Sequence, residues 1–304
     1  MTRPKILVAR AVFPETITRL ETHFDVESNQ ADESWTRAQL IEKLQGKQGA
    51  FTTGSERIDA FDVDAMTAHG VLATNAPGVL TETTADFGFA LLMATARRIT
   101  ESEHFLRAGQ WKKWSYDMFS GSDIHGSTLG IIGMGRIGQG IARRGAHGFG
   151  MKVVYHNRSR LDAATEAACG ATYVGKEELL RTADHVVLVV PYSAASHHTI
   201  GAAELALMKP TATLINIARG GIVDDAALAA ALRSKQIAAA GLDVFEGEPT
   251  VHPDLLTVPN VVLTPHIASA TVPTRRAMAE LAADNLVGYL VNGKALTPIN
   301  TLPN

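Results

Sequence analysis

The chain has 304 residues, 46% of them hydrophobic, a formal net charge of −3 and one cysteine, Cys169. That length supplies material for two domains with separate cores, and the near-neutral balance without a basic tract argues against nucleic acid or an anionic membrane as the main partner. A single thiol excludes an internal disulfide, no apolar stretch exceeds residues 87–96, and no signal-like segment precedes the first strand, so the expected setting is the cytoplasm.

Strand and helix signals alternate along the chain, the pattern of parallel sheets covered by helices. Residues 5–9 read as a strand, 14–23 and 36–45 as helices, and 49–52 as a strand, forming a first α/β layer that ends near Asn75-Ala76-Pro77-Gly78. A helical pattern then runs from 82 to 108, with Phe87, Leu91, Ala94 and Ile99 apolar and Arg97, Arg98, Glu101 and Glu103 beyond them. A tryptophan-bearing arm follows at 111–126. Its Trp111, Trp114 and Phe119 suit packing between copies better than a substrate wall. Further strands are expected at 129–132, 151–155, 186–190, 212–217, 239–242 and 261–263, and the last helix, 274–291, is expected to return to the first domain. Cys169 reads as a small core residue.

The strand at 129–132 runs into Gly133-Met134-Gly135-Arg136-Ile137-Gly138 and then a helix. In a dinucleotide-binding turn the first glycine allows the tight exit from the strand, the second lets backbone approach a pyrophosphate, and the third brings helix and strand together. The helix start offers N–H groups to phosphate. The next strand ends in His156-Asn157-Arg158-Ser159-Arg160, with no acid between 151 and 161 to accept a ribose 2′-hydroxyl. Asn157, Arg158, Ser159 and Arg160 offer an amide, two guanidinium groups and a hydroxyl, which suit a 2′-phosphate and make NADP(H) the expected cofactor.

Three polar residues stand just past the carboxyl ends of later strands, the edge where open parallel sheets bind ligands. Arg219 precedes Gly220-Gly221, Glu248 precedes Pro249, and His266 follows Pro265. Reduction of a ketone needs a proton donor, a role His fills near neutral pH; a carboxylate on its other ring nitrogen orients it and favours the imidazolium. A forked Arg grips the carboxylate and carbonyl of a 2-oxo acid.

Asn216-Ile-Ala-Arg219-Gly220-Gly221, Gly241-Leu-Asp243-Val-Phe-Glu246-Gly-Glu248-Pro249 and Leu263-Thr-Pro265-His266-Ile-Ala-Ser269 resemble the signature blocks of the D-isomer-specific 2-hydroxyacid dehydrogenases. Asn75-Ala-Pro77-Gly78 and the segment from Ala85-Asp86 through Arg97-Arg98 resemble that family's hinge and linking helix. The resemblance covers nearly the whole chain. It implies two Rossmann-like or flavodoxin-like doubly wound parallel-sheet α/β domains with a cleft between them: a discontinuous substrate domain, 1–78 and 274–304, and a dinucleotide-binding domain, 79–273. It also implies a catalytic trio of Arg219, Glu248 and His266, with Asp243 on the nicotinamide carboxamide; Glu248, not Glu246, matches the catalytic acid. The basic turn resembles the glyoxylate/hydroxypyruvate and 2-ketogluconate reductase branch. The implied product is a D-2-hydroxy acid, and the implied assembly is a homodimer built through the cofactor domains, the 111–126 arm crossing to the partner. The competing reading is a cofactor-sensing, corepressor-like protein on the same fold.

One departure stands at Ala60–Phe61. Where 52–59 resembles the family, members continue with a helix, a strand and a glycine-bearing loop that binds the substrate carboxylate, about twenty residues with no counterpart here. Gly54 and Ser55 match an earlier position and do not replace that loop. The pattern favours a segment that the molecule carries and this sequence lacks. No metal site is expected: His197-His198 resembles a ligand pair, but no third ligand lies at useful spacing, and a loop over the cofactor is the expected role. Asp224-Asp225 before an Ala/Leu run reads as a helix cap.

Overall fold

The structure is a computed structural model that describes residues 3–53 and 62–302. The Ala60–Phe61 seam, with Gly54 and Ser55, lies outside the described residues. The chain divides into two compact units, Met1–Leu80 with Ala270–Asn304, and Thr81–Ser269.

The first unit is built on a parallel sheet of order β2-β1-β3, from β1 (Lys5–Val8), β2 (Asp25–Ser28) and β3 (Gly49–Phe51). Helices α1 (Pro14–Glu21), α2 (Arg37–Leu44) and α3 (Val63–Ala68) accompany it. Strand β2 was not expected from the sequence: Asp-Val-Glu-Ser has one strongly apolar residue, and its edge position leaves it largely solvated. The long C-terminal helix, Val272–Asn292, packs on β3, where Leu286 and Leu290 approach Gly49 so closely that a methyl group there would meet them at 2.9 and 3.0 Å. Its Asn285 side chain accepts from the N–H groups of Leu296 and Thr297, fixing the chain's return.

The second unit begins with α4 (Thr81–Ala96) and α5 (Ile99–Arg107). The single helix expected over 82–108 is therefore two. Arg98 takes a left-handed backbone, φ 53°, and its guanidinium clasps Glu101 in the first turn of α5. The Ala96 carbonyl accepts from Ser122 N–H, so the arm caps the broken end. Beyond the arm comes a seven-stranded parallel sheet of order β10-β9-β8-β7-β4-β5-β6, formed by β4 (Thr128–Ile132), β5 (Lys152–His156), β6 (Ala171–Tyr173), β7 (His185–Leu188), β8 (Thr213–Asn216), β9 (Ala239–Leu242) and β10 (Val261–Leu263). Strands β7, β8 and β9 are buried throughout, as expected for parallel strands covered on both faces. Strand order reverses between β4 and β7, the switch point at which such sheets open a crevice for ligands. Helices α6 (Arg136–Arg143), α7 (Ala163–Cys169), α8 (Lys176–Thr182), α9 (Ala202–Leu205) and α10 (Asp225–Arg233) complete the layers. Cys169 is free and buried in the core. Among the described residues, no helix is long and apolar enough to cross a membrane.

Candidate active site

The glycine turn leaves β4 at the switch point. Gly133 has φ 103°, and a Cβ there would lie 2.6 Å from the Val189 carbonyl; one on Gly138 would lie 2.3 Å from the Gly133 oxygen. Both close approaches demand glycine. Gly135, the N-cap of α6, has open space where its Cβ would be, so the turn keeps a clear approach to the helix start. Asn157 at the end of β5 accepts from Met134 N–H at 2.7 Å and ties the basic turn to the glycine loop. These features fit a dinucleotide.

The basic turn is only partly available. Arg160 forks onto Glu166 at 2.9 and 2.8 Å, and Glu166 also accepts from the Tyr155 hydroxyl. The sequence pairs Arg158 and Arg160 on a 2′-phosphate, and here the Arg160 charge is already matched by a nearly buried carboxylate. Arg158 and Ser159 are exposed, and among the described residues Arg158 makes no ion pair.

Strands β8, β9 and β10 deliver the trio. The Asn216 side chain at the end of β8 accepts from Ala218 N–H and donates to the Arg219 carbonyl, shaping the turn that carries Arg219. Gly220 lets this turn touch the segment beyond β9: a Cβ there would lie 1.8 Å from the Phe245 oxygen. That segment carries Glu248, whose Oε1 accepts from Phe245 N–H at 3.3 Å and whose Oε2 lies 2.8 Å from His266 Nδ1. Because an ionised carboxylate can only accept, Nδ1 carries the proton and Nε2 is left for another partner. Burial pushes the Glu248 carboxyl up, but the His266 hydrogen bond and charge, the Phe245 N–H and the Arg219 charge outweigh it and hold it below its ordinary value. The Glu248 hydrogen bond raises His266 above its ordinary value, with burial and the Arg219 charge opposing. The fold thus brings all three residues within electrostatic reach.

Asp243, which the resemblance sets on the nicotinamide carboxamide, also has a structural part beneath the His266 loop. It is completely buried. Oδ1 accepts from the Thr264 hydroxyl and Ile267 N–H at 2.7 and 2.9 Å, and Oδ2 from Ala268 N–H at 2.8 Å. With three bonds made and no exposed surface, this carboxylate clamps the loop that holds His266 at φ 53°, a left-handed backbone that needs such support.

Residues 89–268 match the profile of the D-isomer specific 2-hydroxyacid dehydrogenase NAD-binding domain. A glyoxylate reductase of Thermococcus onnurineus is 45% identical, over 94% of this chain and 93% of that one. The chain belongs to the D-isomer-specific 2-hydroxyacid dehydrogenase family. As a member it is an oxidoreductase that works with a nicotinamide cofactor. A Thermus thermophilus protein of solved structure superposes with a TM-score of 0.87 at 36% identity, covering 97% of this chain and 100% of that one. The NADPH-dependent glyoxylate/hydroxypyruvate reductase of Sinorhizobium meliloti, solved with NADP and malonate, gives 0.82 at 36% identity, covering 98% and 97%. The alignment to the Thermococcus enzyme runs over 312 residues although this chain has 304, so that dehydrogenase carries residues with no counterpart here.

Several residues that build this dehydrogenase's site were missed in the sequence. Asn216, Thr264 and Glu166 act through hydrogen bonds between segments far apart in the chain, which spacing does not reveal. Asp224 does cap α10, accepting from Ala227 N–H at 3.0 Å. Its neighbour Asp225 is buried and instead accepts from Glu246 N–H at 3.1 Å. A further correction concerns His197-His198: the fold brings Glu246 to 2.9 Å from His198 Nε2, supplying the third candidate ligand that the linear sequence hides.

Proposed function

We infer that the chain reduces small 2-oxo acids, glyoxylate, hydroxypyruvate and 2-ketogluconate among them, to 2-hydroxy acids of the D series where the product is chiral, using NADPH. The observation that carries this reading is the Glu248–His266 hydrogen bond with Arg219 close enough to influence both groups. The bound nicotinamide supplies the hydride. His266 holds a proton at Nε2 for the forming alkoxide, and Glu248 keeps the ring charged and oriented through Nδ1. The Arg219 guanidinium holds the substrate's carboxylate and carbonyl oxygens. Asp243 fixes the His266 loop.

The cofactor is held at Gly133, Gly135, Arg136, Ile137 and Gly138, with Asn157, Arg158 and Ser159 at the ribose end. Exposed Arg158 with no acid in the turn supports NADPH over NADH, as does the name of the Sinorhizobium relative. The homodimer reading is supported by the arm, where Trp111, Trp114 and Tyr116 are 53%, 69% and 91% exposed. Phe119 instead packs on α5, edge-on to Phe105 at 5.1 Å.

The test is NADPH oxidation measured against the three acids, repeated with NADH. Turnover of at least one acid with a clear preference for NADPH is expected. No turnover would remove the enzymatic reading, and equal kinetics with the two cofactors would remove the cofactor assignment.

A further inference from the structure

We propose that His197, His198 and Glu246 form a binding site for one divalent transition-metal ion of the zinc class. The three residues come from two segments of the same unit, the loop after β7 and the stretch after β9. One ligand atom of each lies within 4.8 Å of the others. Zinc holds imidazole nitrogen and carboxylate oxygen at about 2.0–2.2 Å, so two ligands on one ion stand at most about 4 Å apart. Closing the remaining gap takes a movement on the order of 1 Å, which the exposed His197 and Glu246 side chains supply by rotation. His198 Nε2 and Glu246 Oε2, at 2.9 Å, already have nearly the separation of two donors on one ion, which takes the place of the proton between them.

The donor types select the metal. Two imidazoles and one carboxylate suit zinc and its neighbours, whereas magnesium and calcium seek all-oxygen sites. Three protein ligands leave a coordination position for water.

The surroundings support a fixed site. His198 sits at φ 48°, a left-handed backbone for a residue with a side chain, and is held there by its N–H donating to the Gly221 carbonyl at 2.7 Å. Asp224 Oδ2 stands 4.0 Å from His198 Nδ1, on the ring nitrogen away from Glu246, too far for a hydrogen bond but adding negative charge that favours a bound cation. The Tyr192 hydroxyl is 3.3 Å from His197 Nδ1. The His197 and His198 rings stack at 3.8 Å, so His197 must turn out of the stack to share an ion with its neighbour. Once bound, the ion clips the loop after β7 to the segment after β9.

Zinc alone is the probe. The metal-stripped full chain is set against a chromophoric zinc chelator, alongside His197→Gln, Glu246→Gln and Glu248→Gln. His197 and Glu246 are exposed, so their substitutions leave the core untouched. Expected are one zinc retained per chain, binding weakened about tenfold or more in the first two variants, and retention in Glu248→Gln. Zinc should also raise the Tm of the unmodified chain and not that of His197→Gln. Failure to retain zinc, retention unchanged in both His197→Gln and Glu246→Gln, or loss confined to Glu248→Gln would overturn the assignment.

Discussion

At His266 two opposed demands are met together. The proposed donor role needs a charged ring, yet the ring sits half-buried beside the cation Arg219, which disfavours charge. Glu248 resolves the conflict through one hydrogen bond at 2.8 Å. The sign of the pH dependence follows. With its pKa raised above the ordinary 6.5, His266 stays protonated further into the alkaline range, and the reductive rate falls as pH rises through that raised value. Glu248→Gln removes the largest raising influence and leaves burial and Arg219 acting downward against the lesser pull of the Asp243 charge, so the alkaline limb of kcat should move to lower pH. An unmoved limb would take Glu248 out of the relay. Arg219→Lys should fall within about tenfold of Arg219→Ala in kcat/KM, because an ammonium cannot reproduce a fork that grips two oxygens. Recovery of most activity by Lys would rule out the bidentate grip.

The turn at 156–160 shows what an element does to residues that look equivalent in sequence. Arg158 and Arg160 have the same chemistry and stand two positions apart, but only Arg160 meets Glu166, which α7 presents with 10% of its side chain exposed. Arg158→Ala should therefore raise the KM for NADPH by about tenfold or more, in line with about 1.5–3 kcal/mol for a charge-assisted hydrogen bond, and leave that for NADH little changed. Arg160→Ala should do less. Equal losses in the two variants would mean that cofactor draws Arg160 off Glu166. The same lesson holds for whole elements. Strands β7, β8 and β9 were legible because buried parallel strands are continuous apolar runs, and the glycine turn because its spacing is dictated by backbone contact. Strand β2 was not legible, since a solvated edge strand needs few apolar residues. The break at Arg98 was hidden because Arg is a good helix former and the left-handed turn there is imposed by Glu101 and the returning arm.

Across the molecule, the meeting of Arg219, Glu248 and His266 was legible because all three residues follow strands that end on one edge of one sheet, an arrangement that chain order predicts once the strands are placed. What joins them was not legible: the approach of Gly220 to Phe245, the Asp243 clamp on 264–268, and the meeting of His198 with Glu246 each link positions separated by more than twenty residues. Such contacts exist only after the sheet has set the register of its strands. If this edge delivers a proton from His266 to a 2-oxo acid reduced with NADPH, the most direct test is steady-state reduction of hydroxypyruvate by NADPH, in the unmodified chain and in His266→Gln, with the product's configuration determined. D-glycerate from the unmodified chain and a loss of about 10²-fold or more in kcat on substitution are predicted. L-glycerate, or a kcat that survives the loss of His266, would contradict that role.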